Sequence, residues 1–332
     1  MPPPNRLTIL LAFAALYLIW GSTYLGIALA IQSIPPFLMA GTRFFSAGVI
    51  MYAFAWITGA PKPQAVTWRS ALIIGGCLLL CGNGGVTISE KWVPTGLASL
   101  IVATVPIDIA LLGWLTGIAR RPVPLVWVGL AGGFLGVGLL IGPALTTPSS
   151  STHFALGIFI LLTGSLIWSA GSLYSLKAKS SPSLFLAAGQ QMICGGVLLS
   201  VLGIALGEKL NFKQVSATSL YAFIYLVLVG ALIGYTAYFW LLRNCDAGKV
   251  ATYAYVNPVV AVILGVFFHN EHFTTRTIVA GALIIGSVAL VITAQHFEAK
   301  MVKGADAESL FCENDEARGN DEIRMTKHEG MS

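Results

Sequence analysis

GKVATYAYVNPVVAVILG, residues 248–265, opens a stretch that occurs twice in the chain. Moved back by 152 positions without a gap, residues 248–293 fall on residues 96–141, which begin GLASLIVATVPIDIALLG. Gly248 then meets Gly96, Pro258 meets Pro106, Leu264 meets Leu112, Gly265 meets Gly113 and Gly281 meets Gly129. An ungapped echo of that length marks a duplication. Further upstream, residues 18–49 fall on residues 166–197 at an offset of 148, pairing Trp20 with Trp168, Phe37 with Phe185, Gly41 with Gly189 and Gly48 with Gly196. The chain is therefore read as two copies of one unit, residues 7–142 and 154–295, followed by a tail at 297–332.

Composition fixes the solvent. The 332 residues are 56% hydrophobic and 10% charged, with a mean hydropathy of +0.80, more apolar surface than a water-soluble domain can hide. The apolar runs are continuous and about 20 residues long, the length an α-helix needs to cross hydrocarbon, whereas barrel strands alternate over short segments. Turns and charges punctuate ten such helices, at about 7–28, 36–58, 69–89, 96–116, 123–142, 154–176, 183–206, 218–242, 248–268 and 276–295. The expected fold is an all-α integral membrane protein. Five helices per copy is an odd number, so the second copy enters the bilayer from the opposite side, giving inverted repeats, an architecture of secondary transporters.

Basic residues give the orientation. Of the fourteen Lys and Arg in residues 1–296, a cytoplasmic N-terminus puts nine on the inner side and four outside, with Arg43 inside a helix. That bias favours both termini in the cytoplasm. The tail holds nine acids and five bases, net −4, and is too polar to pack a core; a disordered cytoplasmic extension is expected. The remaining +9 completes the formal +5, so the basic balance is a topology signal and not the footprint of a nucleic-acid binder. The opening apolar run is read as the first span, because its Trp20 segment is echoed at Trp168 and cleavage of a signal peptide would destroy a repeat. The five cysteines show neither metal-ligand nor redox spacing, and no cofactor or metal is expected.

Polar side chains in hydrocarbon are costly, so they are the informative ones. Arg43 lies about 10 Å below the outer surface by helical rise; its counterpart in the other copy is Gln191. Asn83, Thr87 and Glu90 stand at i, i+4 and i+7, one stripe of the third helix at Arg43's depth, and an Arg43–Glu90 pair is compatible with that depth. In the second copy the stripe becomes Tyr235, Phe239 and Leu242, predicting a cavity with one polar wall and a facing aromatic one. Asp108 stands near the midplane, where the second copy has Val260. A buried anion is costly, so a carboxyl there is the proton-coupling candidate, set against a plain role bonded to a backbone carbonyl. Pro106 and Pro258 break backbone hydrogen bonding at matching places and are the hinge or kink candidates. Tyr253 with Asn257, and Trp20 with Tyr24, share helix faces, as do Trp168 and Ser172. Gly129, Gly132, Gly133 and Gly136 give a close-packing surface, within the monomer or between two copies in a homodimer.

The segments IWGSTY, PPFLMAGTRF, GNGGVTISEKWVPTGLASLIVATVP and YAYVNPVVAVILG, in that order, resemble the EamA family of the drug/metabolite transporter superfamily, in its YedA-like branch. The resemblance covers nearly all of residues 7–295. It implies a bacterial inner-membrane carrier with a central cavity between the halves, of a kind commonly assigned to export of amino acids, other metabolites or drugs. Trp20, Arg43, Asn83, Glu90, Pro106, Tyr255, Asn257 and Pro258 look like family positions, as does Glu271, although Asn270 replaces the usual preceding glycine. Asp108 is a departure from the pattern.

A membrane-embedded enzyme would need a nucleophile or metal set in register at one depth. The five histidines fall at loops, helix ends or the tail, and neither HExxH nor GxSxG occurs. A channel would show a continuous polar stripe or a ring of charge. Exchange of nucleotide sugars or sugar phosphates remains the alternative carrier function, though phosphates ordinarily want more than one buried cation. The expected partners are a small-molecule substrate, the lipid bilayer and protons.

Overall fold

Helix starts are written into the sequence by caps and prolines. In the computed structural model, which describes residues 5–118, 121–141, 151–245, 250, 253–269, 274–291 and 293–294, Asn5 accepts from the Leu7 amide to cap α1 (Arg6–Ala30). Pro36 opens α2 (Pro36–Ile57), where a missing N–H costs nothing. Ends are equally local: Gly59 follows α2 at φ +79° and Gly207 follows α9 (Leu184–Ala205) at φ +80°, a left-handed closure that glycine adopts without Cβ strain. The two glycines are 148 apart (207 − 59), the offset of the repeat itself.

The third span of each copy is not a plain α-helix. α3 (Ala65–Gly75) runs into a π-helical segment, Gly76–Asn83, before α4 (Gly84–Ser89). In the second copy α10 (Ala217–Tyr225) runs into the π-helical Leu226–Ile233 before α11 (Gly234–Asn244). Such segments insert a residue into a turn and re-aim everything beyond it. The fourth span also differs from the single kinked helix expected: it is broken into α5 (Thr95–Val102) and α6 (Val105–Leu115), with Pro106 in the first turn of α6. Its second-copy equivalent, α12 (Tyr253–His269), carries Pro258 inside one described helix.

Between and after these lie α7 (Pro124–Ile141), α8 (Ser151–Lys177) and α13 (Thr275–Val291). Among the described residues seven helical spans are long and apolar enough to cross a membrane, and three shorter apolar helices accompany them at Pro124–Gly136, Val256–Phe268 and Thr275–Val291. No strand occurs among the described residues. Trp56, Ile57 and Phe267 are 74%, 85% and 76% exposed, a surface that suits lipid and not water.

α2 and α9 form a tight central seam. A Cβ added to Gly48 would lie 2.7 Å from the Ile193 nitrogen and 3.0 Å from the Gly189 oxygen; one on Gly196 would lie 2.5 Å from the Phe45 nitrogen and 2.8 Å from the Gly41 oxygen. Partner numbers fall on α9 as they rise on α2, so the helices run antiparallel. The contacts are also reciprocal: Gly41 meets Gly196, and their repeat counterparts Gly189 and Gly48 meet each other. The glycine surface of α7 is covered within the chain, where Gly129, Gly132 and Gly136 pack against Val291, Ser287 and Ile284. The connecting residues 142–150, Glu271 and the tail at 297–332 lie outside the described residues, as do the side chains of Phe239, Leu242 and Tyr255.

Candidate functional site

The two tryptophans matched by the repeat become matched in space. Trp20 on α1 packs where a Cβ on Gly234 would stand 2.7 Å from its Nε1, and Trp168 on α8 packs where a Cβ on Gly82 would stand 2.5 Å from its Cε3. Each indole thus uses the glycine of the other copy's third span, and both line one cavity of about 820 Å³, counting its open mouth. Trp20 is fixed on its other sides by rings, with centroids of Tyr238, Tyr253 and Tyr235 at 4.9, 5.1 and 5.6 Å.

Arg43 also reaches this cavity while only 3% exposed. It is held rigidly: Nε donates to the Leu226 carbonyl at 3.1 Å, the first residue of the second π-helical segment, and the guanidinium carbon lies 4.7 Å from the centroid of the Phe44 ring. Glu90, capping the end of α4, is near enough to attract it electrostatically, although Glu90 itself does not line the cavity. Asn83 donates through Nδ2 to the Tyr235 hydroxyl at 3.4 Å. The sequence had suggested a polar wall facing an aromatic one; instead these two repeat-related side chains come within hydrogen-bonding distance of each other.

Tyr24, Tyr253, Asn257 and Pro258 complete the expected wall. Of the expected cavity residues Glu90, Thr87 and Gln191 do not reach it, and the proton-coupling candidate Asp108 lies outside it as well. Thr87, 1% exposed, closes its hydroxyl on the Asn83 carbonyl at 2.8 Å. Gln191 is buried beside a separate small void that it shares with Tyr235. Asp108 is half-buried in the first turn of α6 and interacts with Thr104 one turn earlier. Because the break restarts the helix at Val105, this acid sits at a helix N-terminus, where the macrodipole favours it, and not in mid-helix. Pro106 is buried outside the cavity wall.

Residues that sequence reasoning missed are Thr23, Val86, Ser99, Ser165 and the apolar pair Val102 and Val105 at the break. Helical spacing held a signal for three of them: Thr23 is three after Trp20, Val86 three after Asn83, and Ser165 three before Trp168, all on shared faces. The α5–α6 break carried a different mark, Pro106, the kink candidate, which lies in the first turn after it.

The EamA-like transporter family matches the chain at residues 6–142 and again at 155–293. Over 293 residues the chain is 37% identical to the inner membrane transporter YedA of Escherichia coli, covering 88% of this chain and 93% of that one. It is 25% identical over 292 residues to the transporter YvbV of Bacillus subtilis, covering 88% and 93%. A solved crystal structure shares the fold at a TM-score of 0.59 and 21% identity, covering 86% of this chain and 98% of the other. With both halves matched and a relative of that identity covered almost end to end, the chain belongs to the EamA family of drug/metabolite transporters.

Proposed function

We propose that this protein is a secondary transporter that exports small, partly apolar metabolites by alternating access around the Trp20–Trp168 cavity. The observation that carries the proposal is reciprocity: the cavity is walled by both copies, each supplying the tryptophan that fits the other's glycine. Two halves that meet at a binding cavity can rock against each other and expose it alternately. The antiparallel seam of α2 and α9 supports the further reading of ten spans in two inverted sets of five, and the Lys and Arg bias supports termini on the cytoplasmic side of the inner membrane.

The named side chains divide the work. Arg43 supplies one fixed positive charge for an anionic group on the substrate, and the rings of Trp20, Trp168, Tyr24 and Tyr253 take an apolar body. Asp108 is assigned to proton coupling: it stands in the turn after the α5–α6 break, so motion at the break would change its access to water. Exchange of sugar phosphates is disfavoured because, among the described residues, Arg43 is the sole charged one lining the cavity.

The test compares metabolites in the medium of strains that overexpress or lack the protein. Accumulation outside on overexpression is expected; depletion would reverse the direction, and no change in any solute would remove the transport reading. A periplasm-active reporter should be silent when fused after Arg121 or Lys179 and active within residues 146–152, and the opposite pattern would overturn the inverted arrangement.

A further inference from the structure

Two oxygen atoms of the cavity wall are buried and bonded to nothing in the protein. Among the described residues Ser165 Oγ and Asn257 Oδ1 have no hydrogen-bond partner, and their residues are 4% and 6% exposed. Buried polar atoms are nearly always paired, and each exception calls for a reason. Ser165 is an exception even on its own helix. Ser169, Ser172 and Ser175 of α8 each close on a carbonyl of the preceding turn, at 2.8, 2.8 and 2.7 Å. Ser165 has the same option and does not use it.

Both residues line the same cavity near the α5–α6 break. α12, which carries Asn257, packs against α5, and α8, which carries Ser165, packs against both α5 and α6. Val102, Ala103 and Val105, on either side of the break, line the cavity with them. Neither residue is repeated in the first copy, where the counterparts are Tyr17 (165 − 148) and Val105 (257 − 152). The subsite therefore belongs to one side of the duplication only, as a feature that reads one particular ligand group would.

Resting on the transporter reading above, we propose that Ser165 and Asn257 form a specificity subsite for a hydrogen-bond-donating head group, a hydroxyl or N–H, borne on the apolar or aromatic body that fills the rest of the cavity. Asn257 Oδ1 can only accept, so the group it meets must donate. The Ser165 hydroxyl can accept beside it or pass its own proton to the same ligand atom. Among the described residues the charged one of the wall is Arg43, and no carboxylate lines it. The wall thus offers a ligand whose only charge is positive no anion to meet it, and a neutral donor is preferred.

The test uses the purified full chain and four probes with one body: 2-phenylethanol, its methyl ether, ethylbenzene and 2-phenylethylammonium. Binding is read from intrinsic tryptophan fluorescence, since Trp20 and Trp168 are in the wall. Wild type should bind the alcohol roughly three- to tenfold tighter than the ether, the span of one neutral hydrogen bond, with ethylbenzene and the ammonium also weaker. Ser165→Ala and Asn257→Leu should each bring the alcohol-to-ether ratio toward one while ethylbenzene binding stays put. Partition of probes into detergent enters every protein's ratio equally and cancels between wild type and variants, and the wild-type ratio itself is taken on free probe concentrations. A wild type with no preference for the alcohol, or variants that keep the wild-type ratio, would overturn the subsite while leaving the cavity reading intact. If no probe perturbs the wild-type tryptophans, the cavity reading falls and the subsite falls with it.

Discussion

Gly196→Ala tests the seam on which the whole arrangement rests. The added methyl carbon would stand 2.5 Å from the Phe45 nitrogen and 2.8 Å from both the Gly41 oxygen and the Phe45 Cα, where ordinary contact begins at 3.4 Å. These are backbone atoms, so no rotamer change relieves the overlap. α9 would have to retreat by about 0.9 Å (3.4 − 2.5), and a radial gap of ~0.5–1 Å already forfeits a quarter to a half of each dispersion contact along the seam. Overpacking of this kind costs about 1–3 kcal/mol, and the rigid neighbours place it at the upper end, roughly a hundredfold in the folding equilibrium. Distances rank the series: Gly48→Ala follows, with its closest backbone atom at 2.7 Å, then Gly189→Ala at 2.9 Å. Gly286→Ala, with nothing within 4 Å, is the control and should be neutral or stabilising. Thermal unfolding in detergent, followed by loss of the monodisperse peak, measures all four. If Gly196→Ala melts with wild type and the control, the close approach of α2 and α9 is not what holds the two copies together.

Three further variants probe separate parts. Arg43→Lys keeps the charge but loses the planar fork that holds the Leu226 carbonyl and stacks on Phe44; transport in liposomes should fall by about tenfold or more with membrane insertion unchanged, and wild-type rates would show that only charge matters. Glu208→Gln removes a carboxylate that accepts from the Phe37 and Leu38 amides at 3.2 and 2.8 Å, capping α2 from the far end of α9. A loss of about 1 kcal/mol is expected, and an unchanged melting point would mean the cap is idle. Asp108→Asn should bind substrate normally and lose the response to an imposed pH gradient; a response equal to wild type assigns the carboxyl to helix capping alone.

The architecture was legible because duplication leaves marks that survive divergence. Gly41, Gly48, Gly189 and Gly196 were matched on the page before they met in space, and Trp20 matched Trp168 in the same way. What the sequence hid was phase. In helices that are apolar on every side there is little amphipathic signal to say which face turns inward, so neither π-helical segment was visible and Asn83 was set opposite Tyr235 when the two adjoin. Thr87 misled for a different reason: a hydroxyl in an apolar helix can be satisfied by its own backbone, as it is on the Asn83 carbonyl, and needs no cavity. Ser165 is the converse, a serine that resembles its neighbours in sequence and differs only in leaving that bond unmade.

The scaffold and the cavity obey different rules, and the difference bears on transport. Contacts that set helix against helix are reciprocal: Gly41 with Gly196 and Gly48 with Gly189, Trp20 with Gly234 and Trp168 with Gly82. The side chains that would read a solute are not, since Arg43 stands against Gln191, Asn83 against Tyr235, Asn257 against Val105, and the broken fourth span against the described helix α12. In a carrier built from related halves, exchanging their roles converts one access state into the other, so reciprocal packing keeps the two scaffolds close in energy. A ligand with equal affinity for both states shifts neither, however tightly it binds. Asymmetric chemistry in the wall is therefore the source available for differential affinity, and with it for different apparent affinities on the two sides, while net direction follows the gradients of solute and any coupled ion. A variant that made the wall more symmetric, Arg43→Gln for example, should preserve the fold and flatten the difference between inward and outward rates before it abolishes exchange.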